Sequence, residues 1–234
     1  MNYGVESYQG RGVFEKTESH SRTSEMDLKG LRNLVKKGEG LHLEFKLKAN
    51  HPEKIVREIV AFANTDGGIL LLGVGDDKSI PGLKFVDEEE YILVRAIEKY
   101  CDPPISYQLE RLSITDTRDV LVFSIAKSIE KPHFVKLPNE DPKAYFRVED
   151  RSVQASRELK QILRRENQEG VSFTYGDKER VLMQYLAEKK RITIDEFATL
   201  ASIPKWLASR TLVLLVLSNV VKIKPEESVD WYCL

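Results

Sequence analysis

The chain has 234 residues, and its 36 lysines and arginines nearly balance its 37 aspartates and glutamates, which gives a formal net charge of −1. With 41% apolar residues, this composition excludes an intrinsically disordered chain, a collagen-like fibre and a strongly basic DNA-condensing protein. At roughly 100 to 200 residues per domain, the length predicts one large domain, or a medium domain followed by a small one.

Hydropathy and cysteine usage favour a cytoplasmic protein without a membrane partner. No run of residues approaches the roughly 18 consecutive apolar positions of a membrane span, and the first residues lack the basic-then-apolar order of a signal peptide. Cys101 and Cys233 are far apart and belong to no CxxC or CxxH pattern. We therefore expect neither a disulfide framework nor a zinc site.

The first two thirds of the chain alternate between helical and strand periods. Residues 1–26 show neither period and predict an N-terminal arm that is flexible or ordered by a partner. Leucine spacing predicts a first helix over 28–38, with Ser24 and Asp27 in a capping arrangement. The period-two pattern of 41–46 predicts a half-buried strand with Glu44 on its outward face. The further predicted elements are a helix over 52–64, an apolar strand over 69–74, a helix over 87–100, strands over 105–112, 120–126 and 144–148, and a helix over 157–165 capped by Ser156.

The last third of the chain has a different rhythm. A polar linker over 169–176 precedes a helix over 178–188, a short extended run at 191–194, a helix capped by Asp195 and a third helix starting at Ser202. Two short extended runs then follow within 220–233. This order is the outline of a winged helix-turn-helix. The predicted organisation is thus an arm (1–26), an α/β or α+β domain with a mixed sheet (27–168), a linker (169–176) and a winged-helix-like domain (177–234).

Complete enzymatic signatures are missing from the sequence. It contains no GxxxxGK[ST] phosphate loop, so ATP binding is not supported, and no GxSxG, HExxH or GxGxxG motif. The residues suited to chemistry are three carboxylates, Glu39, Glu44 and Asp76, with Lys46 nearby. If the first two strands are neighbours, these carboxylates could hold Mg²⁺ or Mn²⁺, since hard cations prefer oxygen ligands. The alternative is an ordinary surface pair of Glu44 and Lys46, with Asp76 as a turn former.

Four ordered motifs carry a family resemblance. They are EGLHLEFK at 39–46, AFANTDGG at 61–68, GVGDD at 73–77, and YFRV at 145–148 followed by Ser152 and Ala155. Together they resemble the Schlafen AlbA-2 domain family over roughly residues 28–165. The resemblance implies a nucleic-acid-associated α/β fold, found in bacterial transcriptional regulators and in animal Schlafens that cleave RNA.

The same resemblance implies roles for individual residues. Glu39, Glu44 and Asp76 match the catalytic acids of the nuclease members, whereas Asn64, Thr65, Gly67 and Gly68 match a structural turn. The animal nucleases have a doubled lobe, so a comparable groove here implies a homodimer.

Basic residues are concentrated between 127 and 165, a segment that contains ten lysines and arginines but only six aspartates and glutamates. This local excess favours contact with phosphates, although a solvated helix face is the plain alternative. The ten candidate nucleic-acid-binding residues are Lys127, Lys131, Lys136, Lys143, Arg147, Arg151, Arg157, Lys160, Arg164 and Arg165.

Three hypotheses therefore stand at the level of sequence. The first is a nucleic-acid-binding protein, such as a transcriptional regulator, which binds DNA or RNA through this basic segment. The second is a divalent-metal-dependent endoribonuclease that uses Glu39, Glu44 and Asp76. The third is a non-catalytic adaptor, in which the mostly apolar winged helix docks to a protein or dimerises.

Overall fold

A computed structural model of the chain describes residues 26–168 and 173–234. Residues 1–25 of the predicted arm and residues 169–172 of the predicted linker lie outside these ranges. The elements of the first part are α1 (Leu28–Lys37), β1 (Leu43–Lys46), α2 (Pro52–Asn64), β2 (Gly68–Leu72), α3 (Val86–Tyr100), β3 (Cys101–Asp102), β4 (Tyr107–Thr115), β5 (Arg118–Ile125), β6 (Phe134–Val135), β7 (Tyr145–Val148), β8 (Arg151–Gln154) and α4 (Arg157–Arg165). The second part contains α5 (Asp177–Lys189), β9 (Arg191–Ile192), α6 (Ile194–Leu200), α7 (Lys205–Leu217), β10 (Lys222–Lys224) and β11 (Trp231–Cys233).

The central sheet is mixed, as predicted, with the strand order β1-β2-β5-β4. β1 and β2 are parallel neighbours, so Lys46 pairs with Leu72, while β5 runs antiparallel to both β2 and β4. β1 is therefore an edge strand of this sheet. Because β1 and β2 are parallel, their carboxyl ends meet at the same edge of the sheet.

Both faces of the sheet are covered by helices. Leu70 and Leu72 of β2 face α2 and α3, whereas Leu71 faces the other way and packs with Leu31 and Val35 of α1. A central strand covered on both faces is apolar at every position, which is why the run after Gly68 shows no alternation.

Helix capping differs from the sequence prediction at α6 and agrees with it at α1 and α4. Asp27 caps α1 by accepting a hydrogen bond from the Gly30 amide (2.6 Å), while Ser24 lies outside the described residues. Thr193, and not Asp195, caps α6, because its hydroxyl accepts the Glu196 amide proton at the third helical position. The predicted cap of α4 by Ser156 is confirmed.

The second part has three helices and a three-stranded antiparallel sheet of order β10-β11-β9. Its core contains Leu186, Phe197, Leu212 and Tyr232. This element order is the one predicted for a winged helix-turn-helix, an assignment that stays a prediction.

Helix α7 packs against α4 of the first part. The Ser209 hydroxyl of α7 donates to Glu158 of α4 (2.7 Å), and Val213 of α7 is buried. Ser156 also bonds Asp230, next to β11. α7 would be the groove-reading helix of a winged helix. Part of its surface is instead covered by α4.

No helix within the described ranges is long and apolar enough to cross a membrane by itself. The pair formed by α6 and α7 satisfies the length and composition criteria together, with a bend of 112° between the two helices.

Candidate nucleic-acid interface and carboxylate cluster

Glu44 points into the protein, contrary to the prediction of an outward face. Its side chain is on the sheet face that α2 covers, and the residue is only 6% exposed. One carboxylate oxygen is paired with the Lys46 ammonium and the other accepts from Arg147 Nη2 at 2.6 Å. Side chains of β1 therefore alternate between the two faces of the sheet, as predicted, but both faces of β1 are covered by the protein.

Arg147 is the centre of this buried network and is 1% exposed. Its Nη1 donates to Glu58 of α2 at 2.5 Å, and its Nε and Nη2 donate to the Gly40 carbonyl at 3.1 and 3.0 Å. The guanidinium also lies over the Phe62 ring, 5.0 Å from the centroid. Arg147 thus fastens β7 to β1 and α2. Its assignment to a nucleic-acid-binding surface is wrong, because a buried, fully bonded guanidinium cannot reach a phosphate.

Glu58 belongs to no motif in the sequence. A glutamate within an amphipathic helix is usually an exposed surface residue, so its sequence context does not indicate a buried ion pair. Its carboxylate accepts from both Arg147 and the Ser152 hydroxyl. Burial raises the pKa of Glu58, and the neighbouring Glu44 charge adds to that effect.

Glu39 and Asp76 lie at the rim of the same cluster. Glu39 accepts the Phe45 amide proton at 2.8 Å and so satisfies a donor on the open side of the edge strand. Partial burial raises the pKa of Glu39, and the nearby negative charges of Glu44 and Asp76 contribute in the same direction. Asp76 is exposed in the loop after β2.

The carboxylates are near one another, but they are not arranged as metal ligands. Within 26–168 and 173–234, no group of three or more His, Cys, Asp or Glu side chains has an arrangement that could hold a metal ion. Both oxygens of Glu44 are engaged by cations, and Glu39 is engaged by a backbone amide. The set Glu39, Glu44 and Asp76 therefore does not fit Mg²⁺ or Mn²⁺ in this arrangement, because Lys46 and Arg147 already neutralise Glu44.

The turn after α2 is structural, as predicted. The Asn64 amide donates to the carbonyls of His133 and Tyr145, and the Thr65 hydroxyl accepts the Arg147 amide proton, so the turn positions β7. Gly67 has φ +77°, and a Cβ there would lie 2.6 Å from a carbonyl oxygen. A Cβ at Gly68 would lie 2.4 Å from the Phe62 ring. Larger side chains are excluded at both positions.

Most cations of the predicted basic surface form ion pairs with carboxylates of the protein. Lys131 is buried and bonds Glu166 and the Thr65 carbonyl, so this lysine, like Arg147, does not belong to a surface. Four further cations of the segment are ion-paired: Lys127 with Asp66, Lys136 with Asp102, Lys143 with Glu140, and Arg151 with Glu227.

Helix α4 carries the remaining four cations of the segment. Arg157 and Arg164 are exposed, and Lys160 and Arg165 are half-buried. None of the four forms an ion pair with any residue that the structure describes. Leu159, Ile162 and Leu163 hold the opposite face of α4 in the protein interior. The cations therefore face outward on a fixed helix.

A shallow cavity of about 550 Å³ lies at the amino end of β2, lined in part by His42, Asp66, Gln108 and Ser124. Ser124 pairs with Ile69 and faces the α1 side of the sheet. Neither Glu44 nor Arg147 belongs to this lining.

Residues 39–156 match the family described as Schlafen, AlbA_2. No curated protein matches the chain. Among solved structures, the chain is similar to the N-terminal domain of a protein from Nitrosomonas europaea named as related to the ATP-dependent DNA helicase RecG, with 18% identity, a TM-score of 0.37, and coverage of 50% of this chain and 86% of that one. It is also similar to the DIP2311 protein of Corynebacterium diphtheriae, with 18% identity, a TM-score of 0.36, and coverage of 51% of this chain and 26% of that one.

Proposed function

The chain belongs to the Schlafen AlbA_2 family, and we propose that it is a nucleic-acid-binding protein of regulatory type that contacts phosphates through α4. The observation that carries this proposal is the set of four cations on α4 without ion-pair partners among the described residues. Free cations on a fixed helix attract a polyanion and release its counterions on binding.

The proposal is tested by removing charge from α4 alone. The triple variant Arg157→Gln, Lys160→Gln, Arg164→Gln should weaken binding to duplex DNA or transfer RNA. For duplex DNA, the slope of log affinity against log salt should fall by about 2.7, at ~0.9 per lost phosphate contact. Fluorescence anisotropy over a salt series measures both quantities.

A matched control comes from the same segment. The triple variant Lys127→Gln, Lys136→Gln, Lys143→Gln removes the same charge from residues that are already paired with carboxylates. It should bind closer to the unmodified protein than the α4 variant does. Equal losses in both variants, or no binding by the unmodified protein, would contradict the proposal.

The contacts of α7 favour a docking role for the C-terminal helices. α7 is mostly apolar and lies between its own core and α4, so we propose that this region positions α4 and does not read bases with α7. The homodimer also stays a proposal. Light scattering of the full chain at micromolar concentration should give twice the monomer mass.

Metal-dependent RNA cleavage stays a prediction of the family resemblance. Incubating transfer RNA with the protein, with and without Mn²⁺, separates binding from cleavage. Metal-dependent cleavage that Asp76→Asn abolishes would mean that the carboxylates rearrange from the paired state described above. If the RNA stays intact under both conditions, cleavage is ruled out for this RNA and binding remains as the proposed role.

A further inference from the structure

Helix α1 presents a second basic surface, which the sequence analysis did not single out. Its ten residues, LKGLRNLVKK, include four cations and no acid. Lys29, Arg32, Lys36 and Lys37 are all exposed, and none forms an ion pair within residues 26–168 and 173–234. The strongest signal in the sequence of α1 is its leucine spacing, which predicts an amphipathic helix and says nothing about the pairing of its cations.

The cations of α1 are aligned on the face opposite its buried residues. Lys29, Arg32 and Lys36 follow i, i+3, i+7 spacing, which places them within about 60° of one another around the helix. Leu31 and Val35 occupy the other side and are packed against the sheet. The apolar face of α1 is therefore already used in the core, which excludes the insertion of this face into a lipid surface.

Helix stability does not explain the whole set. Lys36 and Lys37 lie in the last turn, where cations complement the negative end of the helix dipole. Lys29 lies in the first turn, where a cation opposes the dipole and is unfavourable. The helix dipole therefore accounts for Lys36 and Lys37 but not for Lys29.

Lys78 extends the surface beyond the end of α1. Its ammonium lies 3.3 Å from the Lys36 carbonyl oxygen, so this lysine from the loop after β2 is held beside the last turn. Lys78 also has no ion-pair partner among the described residues. Three cations, Lys36, Lys37 and Lys78, thus gather at one end of the aligned row.

We propose that α1, with Lys78, is a phosphate-contacting surface for the backbone of a nucleic acid, separate from α4. This inference rests on the proposed function, since it names a second contact surface for the same ligand. α1 covers one face of the sheet, while α4 packs against Phe146 of β7, and β7 contacts α2 on the other face. Both helices lie outside the family-matched residues 39–156, whereas Lys78 lies within them.

The two helices offer a matched experiment because their cations have identical spacing. The α1 variant is Lys29→Gln, Arg32→Gln, Lys36→Gln, and the α4 variant is Arg157→Gln, Lys160→Gln, Arg164→Gln. Each removes three positive charges at i, i+3, i+7. A charge-preserving variant, Lys29→Arg, Arg32→Lys, Lys36→Arg, controls for side-chain shape. Thermal unfolding checks that all variants remain folded, as expected for exposed residues without ion pairs.

Affinity for duplex DNA and for transfer RNA is measured over a salt series for each variant. If α1 contacts phosphates, its Gln variant should lose at least ~10-fold in affinity for one of these ligands near 100 mM salt, and the duplex-DNA slope should fall by about 2.7 if duplex is that ligand. The charge-preserving variant should retain the slope. An additional loss on combining the α1 and α4 variants is expected, because the surfaces are separate.

The outcomes separate the two proposals. If the α1 Gln variant binds both ligands like the unmodified protein while the α4 variant is impaired, α1 is overturned as a contact surface and the proposed function stands. If the unmodified protein binds neither ligand, the proposed function itself fails. If the α1 Gln variant loses binding to phosphatidylserine vesicles but not to nucleic acid, the partner class is wrong and α1 is a membrane-surface contact.

Discussion

The basic segment 127–165 and helix α1 look alike in charge but differ in what the fold does with their cations. In the segment, six of the ten cations are bound to carboxylates, and two of these six are buried. In α1, all four cations face solvent without an ion-pair partner in the described part of the chain. A count of charges along the sequence therefore overestimates the number of unpaired cations in the segment and does not show that those of α1 are unpaired. The difference arises because ion pairing is decided by neighbours distant in sequence, such as Glu44 for Arg147.

The largest expected effect is the loss of stability on replacing a buried cation of the segment. Arg147→Met should lower the free energy of unfolding by about 3–5 kcal/mol, because it leaves Glu44 and Glu58 without their cation inside the protein. Denaturant unfolding measures this loss. Arg164→Gln, at an exposed cation without an ion pair, should stay within about 0.5 kcal/mol of the unmodified protein. Similar stabilities for the two variants would remove the distinction between structural and surface cations.

A smaller effect should appear in the pH dependence of stability. Burial raises the pKa of Glu58, so in the window just above its ordinary value of 4.5 the folded state holds more protons than the unfolded state. The contribution of Glu58 to stability therefore falls as pH rises through its folded pKa. Glu58→Gln lacks this titration, so the unmodified protein should lose stability relative to this variant as the pH rises above 4.5. A pH-independent difference between the two unfolding curves would rule out the raised pKa.

The smallest expected effect compares a paired with an unpaired surface cation in ligand binding. Arg164→Gln should lower the salt slope for duplex DNA by up to about 0.9, the value of one lost phosphate contact. Lys136→Gln should change this slope less, because Asp102 already lies 2.6 Å from the Lys136 ammonium. Anisotropy titrations over a salt series distinguish the two. A larger change at Lys136 would mean that surface pairing does not reduce ligand contact.

Local signals in the sequence determined the helices and strands. The prediction of α2 over residues 52–64 matches the structure, because Pro52 can only begin a helix and the Gly67–Gly68 pair ends it. The alternation of helices and strands predicted the mixed sheet, and the four motifs together predicted the family. β8 was missed because RSVQ is a short hairpin strand without a clear period, which is paired only through its register with β7.

Only the tertiary structure decided which charged residues are available for function. Glu44 and Glu39 are both glutamates, and Arg147 and Arg164 are both arginines. Residue type alone therefore does not distinguish a buried network from an exposed surface. Arg147 is buried because Asn64 and Thr65 hold β7 beside α2, where Glu44 and Glu58 compensate the guanidinium charge. α7 reads as a recognition helix in sequence, yet it packs against α4. Periodicity and capping act over a few residues and can be read from the chain, whereas burial and ion pairing join residues up to about a hundred positions apart, as Arg147 and Glu44 show (103 positions).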